Sequence, residues 1–87
     1  MNDAMNHMKQ QNYNELVRQI INSPDYGNAT CFDIIDPFKV EILIHDMINM
    51  GYDIKISKYK EGLLTVLCIS YEYKDPAIFN PESDVYN

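Results

Sequence analysis

The sequence predicts a small α+β domain ordered α-β-α-β-β, with a three-stranded antiparallel sheet in the order 2-3-1 and two helices. Three observations predict it. Apolar residues recur at helical spacing twice, over 13–21 and 40–50. An alternating stretch, 52–59, is followed across a glycine by a long apolar run, 63–73. Asp36-Pro37 and Gly51 bracket the second helical stretch as a start and a stop.

Asn12, with Glu15 three residues on, reads as the capping box that opens the first helix. Tyr13, Leu16, Val17, Ile20 and Ile21 then share one face, and Asn22-Ser23-Pro24 stops the helix. Residues 1–11 either fray or extend it. Asp25-Tyr26-Gly27-Asn28 has loop chemistry. The β-leaning stretch Thr30–Ile35 is the expected first strand.

Asp36 is a natural N-cap and Pro37 a natural first helical residue. The second helix runs from Pro37 to about Met50 and ends at Gly51 as a left-handed cap. Its buried stripe is Val40, Leu43, Ile44, Met47 and Met50, with Glu41, His45, Asn49, Phe38 and Ile42 on the far side.

Tyr52–Tyr59 is the second strand, Lys60-Glu61-Gly62 a three-residue hairpin loop, and Leu63–Tyr73 the third strand. With Tyr59 opposite Leu63, Ile54 and Ile56 share a core face with Leu64, Val66 and Cys68. The other face then carries Lys55, Tyr59, Thr65, Leu67, Ile69, Tyr71 and Tyr73. A strand apolar on both faces belongs in the centre of its sheet. The whole chain, 1–87, reads as one domain, with a folded core over 12–74 and an extended acidic tail over 75–87. Pro76 and Pro81 break that tail, and Ile78 and Phe79 are its anchors.

Composition bounds the function. At 10.2 kDa the chain buries about two thirds of its unfolded surface, enough for one core and no cofactor domain. Net charge is −6, of which residues 61–87 carry −4: Glu61, Glu72, Asp75, Glu82 and Asp84 against Lys74. An acidic chain is a poor general ligand for nucleic acid or anionic lipid, so direct nucleic-acid binding is disfavoured and no membrane partner is expected. Such a chain suits a larger protein with a basic surface. The polar start does not read as a secretory signal, and no apolar run is long enough to span a membrane. The expectation is a cytoplasmic protein with free thiols at Cys31 and Cys68, in which the Asn28-Ala29-Thr30 sequon is silent.

No catalytic, metal or cofactor site is expected. His7, Cys31, His45 and Cys68 lack zinc-site spacing. His45 and Glu41 read as a surface pair. Gly27, Gly51 and Gly62 are isolated and form no phosphate loop.

Lys55, Lys58, Tyr59, Lys60, Tyr71, Tyr73 and Lys74 give the hairpin a basic, aromatic character that a single-strand nucleic-acid platform would use. With Arg18 the only arginine, strand propensity and edge protection account for them better.

The sharper anomaly is surplus apolar surface. Leu67, Ile69, Tyr71 and Tyr73 lie on the sheet face away from the second helix, and Phe38 and Ile42 on that helix's outer face. Either the first helix covers that sheet face, or a partner does. The partner reading takes Tyr59, Tyr71 and Tyr73 as aromatic anchors, and Glu72, Asp75, Glu82 and Asp84 as steering charges that imitate a phosphate backbone. The usage of Asn, Ile, Tyr and Lys, six lysines to one arginine, resembles that of small accessory proteins of phages and mobile elements. The resulting expectation is an inhibitory or redirecting interaction protein acting on a nucleic-acid-handling host protein, such as a defence nuclease or polymerase. A homodimeric regulatory domain is the alternative.

Overall fold

The computed structural model describes residues 2–74, and the chain elements follow the expected order. They are α1 (Asn2–Asn22), β1 (Tyr26–Phe32), α2 (Pro37–Asn49), β2 (Tyr52–Glu61) and β3 (Leu64–Tyr73). The sheet order is β1-β3-β2, antiparallel throughout, so the most apolar strand is central. The expected tail over 75–87, with Asp75, Glu82 and Asp84, lies outside the described residues.

α1 starts ten residues before the expected capping box. Asn12 is mid-helix, and its side-chain amide donates to the Ile34 carbonyl at 2.7 Å. Contacts with α2 begin at the third turn, and residues 3–8 are exposed. Lys39 of α2 donates to Gln10 at 2.6 Å and sits 5.5 Å from the Tyr13 ring centroid. On the buried side of α1, Leu16 and Ile20 face the sheet, Tyr13 and Val17 are half-buried, and Ile21 is exposed.

β1 begins where a loop is expected and stops before Ile35. Gly27 is the reason a strand fits there. Its missing side chain leaves room for the Tyr71 ring, whose hydroxyl would stand 2.9 Å from an added Cβ. Ala29, fully buried, is the next residue on the same face. Two small residues on that face let large side chains close over β1.

α2 begins as its sequence dictates. The Asp36 carboxylate accepts from the Phe38 N–H at 2.9 Å, and Pro37 takes the first turn, where no N–H partner is needed. Gly51, at φ +106°, ends the helix in the left-handed conformation, and its N–H donates to Ile48. Met50, expected in the buried stripe, is exposed.

The hairpin corrects the predicted register. Glu61 pairs with Leu64, leaving a two-residue loop of Gly62 and Leu63. Gly62 has φ +67°, as the first central position of a type II′ turn requires, and that turn matches strand twist. Tyr59 therefore faces Val66 instead of Leu63, and Ile54 and Ile56 face Tyr71 and Ile69. The face assignment of β3 inverts. Leu67, Ile69 and Tyr71, read as surplus surface, are buried.

Both helices consequently lie on one side. Leu16 and Ile20 of α1 and Val40 and Met47 of α2 join Ala29, Cys31, Leu67, Ile69 and Tyr71 in a single core, with Ile54 and Tyr52 packed against it. The first helix does not cover the second sheet face.

Candidate interaction surface

The sheet thus has a helix-covered face and a face that no described element covers. Residues on the uncovered face follow from the register, row by row. Nearest the hairpin turn is the pair Glu61–Leu64, and beside it the row Phe32–Val66–Tyr59 crosses all three strands. Thr30–Cys68–Ser57 comes next, then Asn28–Ser70–Lys55, and last Tyr26–Glu72–Asp53.

The two ends of this face differ in chemistry. At the hairpin end Val66 is buried although it lies outside the main core, because Phe32 and Tyr59 flank it. Phe32, Tyr59 and Leu64 are themselves exposed, so the end presents an apolar cluster. Cross-strand aromatic and β-branched neighbours of this kind stabilise a sheet by up to about 1 kcal/mol each.

At the other end two carboxylates, Asp53 and Glu72, meet one lysine. Lys74 Nζ lies 3.3 Å from Glu72 and 3.7 Å from Asp53. Between the ends Ser70 donates to Asn28 at 2.6 Å, and Lys55 stands beside them. These polar side chains line an open, shallow trough with Tyr26 at its rim.

Two of the three tyrosines expected as anchors, Tyr71 and Tyr73, lie on the covered face. Tyr52, Tyr71 and Tyr73 cluster on the covered face, with Tyr52 edge-on to Tyr71 at 6.0 Å and to Tyr73 at 5.1 Å between centroids. The Tyr71 hydroxyl donates to Ser23 O at 2.6 Å and the Tyr52 hydroxyl to Pro24 O at 2.7 Å. They satisfy carbonyls left open just beyond the end of α1. Burial raises the Tyr71 pKa. Of the expected anchors, Tyr59 alone lies on the uncovered face.

Phe38 and Ile42, 69% and 56% exposed, lie on the outer side of α2, remote from both sheet faces. Glu72 belongs to the acidic end of the uncovered face. The basic hairpin residues divide: Lys55 and Tyr59 project from the uncovered face, Lys58 and Lys60 from the other, with Lys58 paired to Asp33 at 3.1 Å. No stacking platform assembles from them.

The two edges of the sheet also differ. In β1 the N–H and C=O groups of Tyr26, Asn28, Thr30 and Phe32 point away from β3, since Asp25 and Asp33 bond towards it. α1 takes up part of this edge. The Gln19 amide donates to Thr30 O at 2.7 Å and accepts from Thr30 N–H at 3.1 Å, and Ser23 donates to Tyr26 O at 2.9 Å. In β2 the outward groups are those of Tyr52, Ile54, Ile56, Lys58 and Lys60, because Gly51 O accepts from Lys74 N–H. None of the hydrogen bonds among the described residues reaches them.

Reactive groups do not converge. Cys31 is buried in the core, its thiol pushed up from 9.0 to about 11 by burial, with Asp33 and Glu15 adding to the shift. Cys68 is half-buried on the opposite face, and His45 is exposed on α2. Among the described residues no three of His, Cys, Asp and Glu are placed to hold a metal ion. No helix among them is long and apolar enough to cross a membrane.

The expected register does not place Phe32, Tyr26 or the buried Val66 on the uncovered face, and the hairpin loop holds the signal. Reading Gly62-Leu63 as a two-residue turn with glycine first sends Leu67, Ile69 and Tyr71 to the core and turns Val66 outward. No family model matches the chain, and no curated protein or solved structure is significantly similar to it.

Proposed function

We propose that this chain is a non-catalytic interaction protein that docks on a larger protein with a basic surface and inhibits or redirects it. The observation that carries the reading is the sheet face without helices. It joins an apolar cluster, Phe32, Val66, Tyr59 and Leu64, to a charged end where Asp53 and Glu72 meet Lys74 and Lys55. An apolar patch with aromatic members beside charged side chains has the composition of a hot spot with a polar rim.

The acidity extends through the sequence, with Asp75, Glu82 and Asp84 following β3. Spaced carboxylates of this kind compete with phosphate for a basic groove, which favours a nucleic-acid-handling target. The compositional skew favours a phage or mobile-element origin and a host target.

The test is capture from a bacterial lysate on the tagged chain at low and high salt. The expected result is one stoichiometric protein, released as salt rises and lost from Phe32→Ser/Tyr59→Ser, with the variant's circular dichroism unchanged. A captured protein indifferent to that double substitution overturns the assignment to this face.

A further inference from the structure

We infer that the free edge of β2 pairs antiparallel with β2 of a second copy of this chain, joining two three-stranded sheets into one of six strands about a twofold axis centred on Ile56. The pairing rests on the in-plane backbone groups of the β2 edge, and its register also involves Asp53, Lys55, Ser57 and Tyr59 at the margin of the proposed docking face.

The molecule itself distinguishes its edges. Gln19 and Ser23 occupy outward backbone groups of β1. The outward groups of Tyr52, Ile54, Ile56, Lys58 and Lys60 on β2 have no such partner among the described residues. A long strand with an unpaired row of donors and acceptors is a template for another strand.

The side chains then select the occupant and the register. A twofold pairing places each residue opposite one whose number completes a fixed sum. Centred on Lys55, it sets Lys55 against its own copy. Centred on Ser57, it sets Asp53 against Glu61 twice. Like charges directly opposite destabilise both. Centred on Ile56, it uses all of residues 52–60 and opposes no like charges. Ile54 meets Lys58, Tyr52 meets Lys60, Lys55 meets Ser57, and Asp53 meets Tyr59.

The lysines that usually blunt an edge are accommodated in this register. Lys58 is already paired with Asp33 at 3.1 Å. Ile56, the one residue opposite its own copy, is 51% exposed in the single chain although it faces the helix side. It lines a 320 Å³ depression between α2 and the sheet with Ile35, Pro37, Val40 and Leu67, bordered by the Asp33–Lys58 ion pair. Twofold pairing brings a second Ile56 to that depression and removes both from water.

Sedimentation equilibrium of the full chain tests this. The expected result is a concentration-dependent mass approaching twice 10.2 kDa. Ile56→Pro removes an N–H that the single chain does not use, so it should abolish association while leaving the hairpin folded by circular dichroism. Two further variants read the register even if that one misfolds. Ser57→Glu faces Lys55 twice and should tighten association about fivefold, whereas Ser57→Lys should weaken it about tenfold. A strict monomer at several hundred micromolar overturns the inference, as does a dimer that Ile56→Pro leaves intact. Equal responses to the two Ser57 variants overturn the register. None of these outcomes depends on whether a lysate protein is captured.

Discussion

The two faces of β3 are built from the same strand and do opposite work. Its odd positions, Leu67, Ile69 and Tyr71, are buried beneath both helices. Its even positions, Leu64, Val66, Cys68, Ser70 and Glu72, face a side that no helix among the described residues covers, and Val66 alone among them is buried. Hydrophobic content does not separate the two sets well, since both contain aliphatic residues. What separates them is the phase of the hairpin, set by a single two-residue turn.

Breaking the covered face should have the largest effect. Ile69 is fully buried, and Ile69→Ala should cost about 2–5 kcal/mol in denaturant unfolding. Tyr59→Ser on the other face should cost no more than about 1 kcal/mol. Equal costs would mean that the uncovered face is as structural as the core.

Next in size is the contact that makes β1 a strand. Gly27→Ala would press a Cβ to 2.9 Å from the Tyr71 hydroxyl, and about 1–3 kcal/mol should be lost. Tyr71→Phe removes that oxygen along with its bond to Ser23 O. The double variant should therefore lose less than the sum of the singles. Strict additivity would show that the ring moves aside at no cost.

The β1 edge gives a smaller effect. Gln19→Leu strips both bonds from Thr30 and should cost about 1–2 kcal/mol. Its amide exchange should accelerate at Thr30 and leave Ile69 unchanged.

The last effect is confined to alkaline pH. The folded Cys31 thiol keeps its proton to about 11, whereas in the unfolded chain it ionises near its ordinary 9.0. Between those values the native state holds the extra proton, so stability is full below about pH 9 and declines as pH rises towards 11. Cys31→Ala should flatten that decline relative to the native chain, measured by denaturant midpoints across the range.

The element order, the central place of β3, the Asp36-Pro37 start of α2 and the Gly51 stop were legible in the sequence. Each rests on a local rule that the neighbouring residues satisfy by themselves. The errors share a different cause. Asn12 carries capping chemistry, yet its amide reaches Ile34, twenty-two residues away. Tyr26-Gly27-Asn28 has turn composition, yet Gly27 is a strand residue because Tyr71 needs the space. Leu67 and Val66 are near-equivalent by hydropathy, and one loop residue decided which points inward. Of the partner surface expected from sequence, Tyr59 and Glu72 stand on the uncovered face, while Leu67, Ile69 and Tyr71 are interior and Asp75, Glu82 and Asp84 lie outside the described residues.

The strand that joins the other two is the last of the three in chain order. β1 and β2 run parallel to each other and touch only through β3, so a nascent chain halted before Leu64 holds two strands with nothing between them. The β2–β3 hairpin is local and can close within microseconds, but β1 must be recruited across more than thirty residues, Phe32 to Val66. Pulse-labelled hydrogen exchange during refolding should therefore protect Ser57 and Tyr59 before Ala29 and Cys31. That order would build the sheet outward from β3, the last of its three strands in the chain.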